Sequence, residues 1–179
     1  MARAQQTDFL QTFRFHVRAV GPDGSRRLVP EGRPDAGFSQ VGTPRLSIEA
    51  VPYREGTMNY AVKQPGPGTF EDITMSRGIA RGDTTFWSWA QQTAEGGGEY
   101  RADLDILVFH RVQALSATTD TRNTTRINTD NPASIIHVFN AFPTGVPLFG
   151  ELDATSAEIA VQELTVAIEY ATREDVRQA

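Results

Sequence analysis

Two extended arms joined by a long polar turn dominate the first half of the chain. Leu46, Ile48 and Ala50 alternate with Arg45, Ser47 and Glu49, a period of two that belongs to a half-buried strand. The chain then passes through Tyr53–Tyr60 (YREGTMNY), polar and centred on glycine, and Ala61, Val62 and Lys63 return it as extended chain. This predicts a long hairpin that projects beyond the body of the fold, because its outer part is too polar and too long to pack at home. Pro52 limits pairing and suits an edge, or the point where a strand leaves its sheet. The Pro-Gly-Pro-Gly run at 65–68 is expected to stop the return arm abruptly.

The same period recurs along the chain. Phe13, Phe15, Val17 and Ala19 alternate with Thr12, Arg14, His16 and Arg18, and a GPDG turn follows at 21–24. Phe70–Ser76 reads as a strand closed by Arg77-Gly78. Asp83 or Thr84 is placed to cap a helix with the body TFWSWAQQTA, which glycines 96–98 end. Phe86, Ala90 and Thr93 share one helix face with Trp89 beside them, so these aromatics read as core and sheet cover, while Trp87 points elsewhere. Leu104, Ile106, Val108 and Val112 alternate with Asp103, Asp105 and Arg111 in a long strand. Residues 114–134, rich in Thr, Asn and Asp, read as a polar surface insertion. Ile135–Phe142 is apolar on both parities, as in a strand covered on both faces. Leu164, Val166, Ile168 and Tyr170 form a last alternating set. Ile159 and Val161 have the opposite parity, which predicts a bulge or bend between. The expected fold is mainly β: one domain over residues 1–179, an antiparallel β-sandwich or barrel of about seven strands. One flanking α-helix and the projecting hairpin complete it.

Chemistry is hard to find in this pattern. The chain has no cysteine, which excludes disulfides, thiolate metal sites and a cysteine nucleophile. His16, His110 and His137 are far apart and lack helical ligand spacing, so no metal site is expected. Asp103 and Asp105 lie on one strand face roughly 7 Å apart by strand rise. That separation suits paired carboxylates in hydrolysis, but a solvated face or channel wall explains it as well. No serine occupies a GxSxG elbow, and Gly96–Gly98 lacks the lysine of a phosphate loop. Asn123-Thr124-Thr125 fits a glycosylation triplet that arises often by chance. A net charge of −5 without a basic stripe argues against tight nucleic-acid binding. No apolar run spans a bilayer, and the N-terminus lacks a signal-peptide core. No catalytic, cofactor or metal residue is assigned.

Six segments, in order, resemble the inner tube proteins of contractile phage tails and phage-tail-like contractile injection systems. They are FSQV at 38–41, EAVPYREGTMNY at 49–60, ITMSRG at 73–78, FWSWAQ at 86–91, HVFNAFPTGV at 137–146, and Glu158 followed by VQELTVAIEY. The resemblance implies a structural, non-enzymatic subunit that forms hexameric rings stacked into a hollow tube. Its implied partners are further copies of itself, a surrounding sheath protein, baseplate and cap proteins, and cargo (effector protein or DNA) passing through the lumen. It implies synthesis in the bacterial cytoplasm and assembly into a virion or injection particle, with no membrane insertion by this chain. Tyr53, Arg54, Glu55, Asn59 and Lys63 would then belong to the ring-stacking hairpin. The return arm VKQPGPG departs from the more basic, leucine-containing stretch usual in the family.

Three other readings compete. A type VI secretion tube protein forms a similar ring, but the YREG and tryptophan-helix pattern favours the phage-like branch. A secreted β-sandwich that binds carbohydrate or another ligand needs clustered aromatics, and Tyr53, Tyr60 and Trp87 are expected on separate elements. A β-barrel hydrolase using Asp103 and Asp105 ranks last.

Overall fold

The computed structural model describes residues 13–20, 37–79, 83–96, 100–109, 118–119, 125–126, 132–150 and 159–175. In chain order the elements are β1 (Phe15–Val20), β2 (Gln40–Val41), β3 (Leu46–Tyr53), β4 (Val62–Phe70), β5 (Ile73–Gly78) and α1 (Thr85–Ala94). They continue with β6 (Ala102–Val108), β7 (Thr118–Thr119), β8 (Thr125–Arg126), β9 (Ser134–Gly145), β10 (Val161–Ala167) and β11 (Tyr170–Asp175). Seven strands form one sheet in the order β1-β6-β9-β10-β5-β2, with β11 also on β9. All its pairings are antiparallel.

Strand β9 joins two layers. Its first half lies between β6 and β11, and its second half, Phe142–Gly145, pairs with β10. At the changeover Asn140 has φ 55°, a left-handed conformation that asparagine tolerates better than most residues. The first layer is therefore β1-β6-β9-β11, and the second is β2-β5-β10 with the end of β9. Between them lie Val17, Ala19, Leu104, Ile106 and Val138 from one side and Ile73, Met75, Leu164 and Val166 from the other. The helix adds Phe86 and Trp89 to this core, and Trp87 is exposed, as the face analysis expects.

One buried cation ties the helix to the sheet. Arg77, at the end of β5, donates to Asp83 Oδ1 at 2.8 Å, and its guanidinium lies 3.7 Å from the Phe86 ring centroid. The same oxygen accepts from the Thr85 amide at 3.1 Å and the Thr85 hydroxyl at 2.8 Å. Thr84 occupies the N-cap position, but Asp83 supplies the capping bonds. Gly96, at φ 68°, ends the helix in the left-handed conformation that glycine adopts freely. Trp89 Nε1 donates to the Tyr100 carbonyl at 2.6 Å, which satisfies the indole while its ring fills the core.

The hairpin is larger than its sequence suggested. Gln40 and Val41 pair with Ser76 and Met75, Gly42 donates to Thr74, Glu71 donates to Arg45, and Leu46 to Tyr53 pair with Phe70 to Val62. The segments 39–53 and 62–78 are thus one ribbon whose inner half belongs to the sheet. Among the described residues its outer half, β3 and β4, pairs only with itself. The Pro-Gly-Pro-Gly run does not stop this arm; it lies inside β4. A bulge between Ile48 and Ala50 absorbs the extra residue, since Ile48 faces Gly68 while Ala50 faces Pro65. Gly66 fits there because a Cβ would come within 3.0 Å of the Glu49 carbonyl oxygen. Among the described residues no third strand joins the arm, so a proline there takes no ladder bond from one.

A second expectation also fails. No bulge lies between Val161 and Leu164: β10 buries Gln162, Leu164 and Val166 in regular alternation, and Val161 faces outward. The ladder irregularity falls instead at Thr165/Val166, where β10 meets β9. Of the insertion at 114–134, the described residues show β7 paired with β8 and the start of β9; the remainder, including Asn123 and Thr124, lies outside the described residues.

Candidate functional site: open sheet edges and an unsupported arm

The turn that closes the arm is held locally. Met58 donates to the Glu55 carbonyl at 3.0 Å, Arg54 Nε donates to the Met58 carbonyl at 3.0 Å, and the Tyr53 hydroxyl reaches Glu55 Oε1 at 3.4 Å. Tyr53, Arg54, Glu55 and Asn59 are gathered at this exposed tip, and Lys63 sits one step back, opposite Pro52. The tip is polar as expected, but the arms are not. Alternation puts Leu46, Ile48, Ala50 and Pro52 on one face, and Val51 and Tyr53 with Val62 on the other, all exposed. Among the described residues this two-stranded ribbon pairs with no third strand, and Phe70 at its base packs edge-on against Tyr170 at 5.7 Å; two-stranded hairpins are marginal alone.

A second open surface is the layer β1-β6-β9-β11. Among the described residues β1 pairs only with β6, and β11 only with β9. Successive strands alternate in direction, so the two outer edges run oppositely. An unpaired edge is a template for another strand.

The outer face of this layer carries the polar residues that sequence reading weighed for chemistry. His137 Nδ1 lies 2.7 Å from Asp105 Oδ1, and its Nε2 lies 3.6 Å from Glu174 Oε2, a link across β6, β9 and β11. Asp103 accepts the Asn140 amide at 3.0 Å. The two aspartates therefore serve different partners on β9 and do not converge on a common point. His16 is buried in β1, and His110 lies outside the described residues. No group of three metal-ligating side chains occurs among the described residues. Tyr53 and Tyr60 flank the arm's tip while Trp87 is on α1, so these aromatics form no common groove.

Sequence reading missed the knot where β9 changes layer. Glu169 accepts from Arg101 and, at 2.8 Å, from the Asn140 side chain. These bonds, first that from Arg101, hold its carboxyl below the usual value, and the Arg101 guanidinium is correspondingly raised. Asp175, at the end of β11, is also lowered, by Ser134 and Arg173. The only signal for the knot is the Asn-Ala-Phe-Pro run that places an asparagine inside a strand.

The model of the T4-like virus tail tube protein gp19 family matches residues 11–172. The chain belongs to that family. It is a tail tube protein, a structural subunit of a hollow tube. Among solved structures, its fold is similar to a chain of the PVC sheath–tube complex of an extracellular contractile injection system, in the extended state. That match has TM-score 0.70 and 23% identity, over 95% of this chain and 94% of that one. A chain of the anti-feeding prophage tube-terminating cap aligns at TM-score 0.71 and 23% identity, over 98% and 97%. A chain of the anti-feeding prophage baseplate aligns at TM-score 0.71 and 14% identity, over 97% and 100%. No curated protein matches this tail tube protein. The structural likenesses speak for the shared fold, and the family model carries the assignment.

Proposed function

We propose that six copies of this tail tube protein close into a ring by pairing the free edge of β1 with the free edge of β11 on the next copy. The rings stack through the β3–β4 arm into a conduit for cargo. The observation that carries the reading is the four-stranded layer whose two edges, of opposite direction, are unpaired among the described residues. One copy's β11 meets its neighbour's β1 antiparallel, and ring closure leaves no edge exposed. The core and second layer cover one face of that sheet, so the other face lines the bore. By register it carries Arg18, Asp103, Asp105, His137, Thr172 and Glu174, with Phe139 and Tyr170 exposed beside them and His16 and Leu107 buried at one end; its exposed charged groups include more carboxylates than cations. With −5 per subunit, such a wall suits passive passage of DNA or an effector protein better than its retention.

Sheath, baseplate and cap proteins are the expected partners, in keeping with the assemblies of the three similar solved chains. Sheath contraction supplies the energy, and this chain performs no catalysis. Residues 1–179 act as one tail-tube domain with an insertion at 114–134. The protein is made in the bacterial cytoplasm and built into a virion or injection particle.

Negative-stain electron microscopy over a range of concentrations tests the reading. Sixfold rings and hollow stacks are expected, and particles that stay monomeric at every concentration would contradict ring closure. Deleting Arg54–Asn59 is expected to leave folded rings that do not stack. Full-length tubes from that variant would remove the arm from the stacking contact.

A further inference from the structure

Ile159 and Val161 are the apolar residues whose parity matched no bulge. The structure shows where they go: outward, beside a segment that returns from β9. Gly150 lies so close to Val161 that a Cβ would sit 2.2 Å from its carbonyl oxygen, and Gln162 Nε2 donates to the Pro147 carbonyl at 2.8 Å. These contacts bring Leu148 and Phe149 alongside β10. Ile159 lies over Gly78, where a Cβ would meet its Cγ2 at 3.5 Å. Leu148 is 73% exposed, Phe149 50%, Ile159 78% and Val161 45%. Four apolar side chains are held in water on backbone pinned to the sheet.

The position of this patch identifies its partner. Val161 pairs with Gly78, the last residue of β5, and the same ribbon runs back from Gly78 to the arm's tip at Val62. The patch and the arm are the two ends of one ribbon, separated by roughly 50 Å of extended chain. We propose that the patch receives the arm of a second copy of this chain in the adjacent ring. The face bearing Leu46, Ile48, Ala50 and Pro52 lies on Leu148, Phe149, Ile159 and Val161. Lys63 shares that face of the arm, directly opposite Pro52, and Glu163 shares the outward face of Val161. The apolar surfaces meet with a cation set against a carboxylate.

Area also favours a second copy over an independent partner. A patch of four side chains belongs to the class of a few hundred Å². A free-standing pair needs about 800 Å² per partner. The contact therefore holds when it is repeated around a ring. Donor and receiver are different surfaces at opposite ends, so the contact is head-to-tail and repeats without closing. This inference rests on the arm-stacking reading and names the surface that the arm meets.

The absence of native cysteine makes the test clean. A chain carrying both Ile48→Cys and Ile159→Cys, assembled and bridged with a short bis-maleimide, is expected to give a ladder of covalent oligomers on a denaturing gel. Each single variant should stay monomeric. Tubes without a ladder would overturn the patch assignment and leave arm stacking intact. Bridged dimers from either single variant would show a self-to-self contact and overturn the head-to-tail geometry. Absence of tubes from the unsubstituted chain as well would count against both readings. Should the cysteines block assembly, Lys63→Glu and Glu163→Lys are the second pair. Each alone is expected to cut tube yield about tenfold and the two together to restore it, because like charges facing each other are strongly disfavoured. Failure of that rescue would overturn the proposal.

Discussion

Arg77 shows how much one side chain can carry. It is buried, paired with buried Asp83, and stacked on Phe86. Arg77→Met would leave Asp83 as an uncompensated buried charge, a change that typically costs about 3–5 kcal/mol. In a chain of this length that is a fall of roughly 10 °C in Tm, measurable by thermal melts. Asp83→Asn should show a similar direction, since it weakens both the ion pair and the helix cap. Gly150 is constrained differently. Gly150→Ala drives a methyl into the Val161 backbone, and an overpacking loss of about 1–3 kcal/mol is expected in denaturant titrations. Glu169 governs acid behaviour at the layer change. Its carboxyl is depressed by Arg101 and Asn140, so its contribution is complete above the ordinary carboxylate value and is lost as pH falls through the depressed one. Melts between about pH 6 and pH 3 should show Glu169→Gln flatter than wild type. Parallel profiles would mean that the ion pair adds nothing.

At the scale of elements, the sequence was legible wherever one face of a strand is buried. Val17 and Ala19, Leu104 and Ile106, and Leu164 and Val166 are core residues at the expected parity, and Phe86 and Trp89 are the helix's buried face. Where a surface is finished by something outside the chain, intramolecular rules misled. The opposite parity of Ile159 and Val161 predicts a bulge or bend, yet Val161 faces outward from a regularly alternating β10. The Pro-Gly-Pro-Gly run reads as a terminator by its turn chemistry, yet it lies inside β4. The Asn140 knot was invisible because its members, Arg101, Asp103, Asn140 and Glu169, are distant in sequence and meet only when β9 changes layer. Tyr53, Arg54, Glu55 and Asn59 lie at the exposed tip with Lys63 one step back, and the Arg54–Asn59 deletion tests the role of the turn itself. That variant should retain the wild-type Tm to within a few degrees, because among the described residues β3 and β4 pair only with each other. A large loss of Tm would mean that the arm supports the body.

At the scale of the whole molecule, the chain looks unfinished in two directions. Around the proposed ring, β1 and β11 offer edges of opposite direction that are unpaired among the described residues. Along the tube, the apolar arm and the apolar patch around Ile159 occupy opposite ends of one ribbon. Family membership explains why a monomer carries both: a subunit repeated in two dimensions must leave unsatisfied what its neighbours complete. The most direct measurement is a cryo-electron microscopy reconstruction of the assembled protein, at a resolution that traces strands. The account predicts an unbroken antiparallel ladder from Phe15–Val20 of one copy to Tyr170–Asp175 of the next, all the way round the ring. Rings in which either edge faces solvent, or is covered by its own chain, would contradict it.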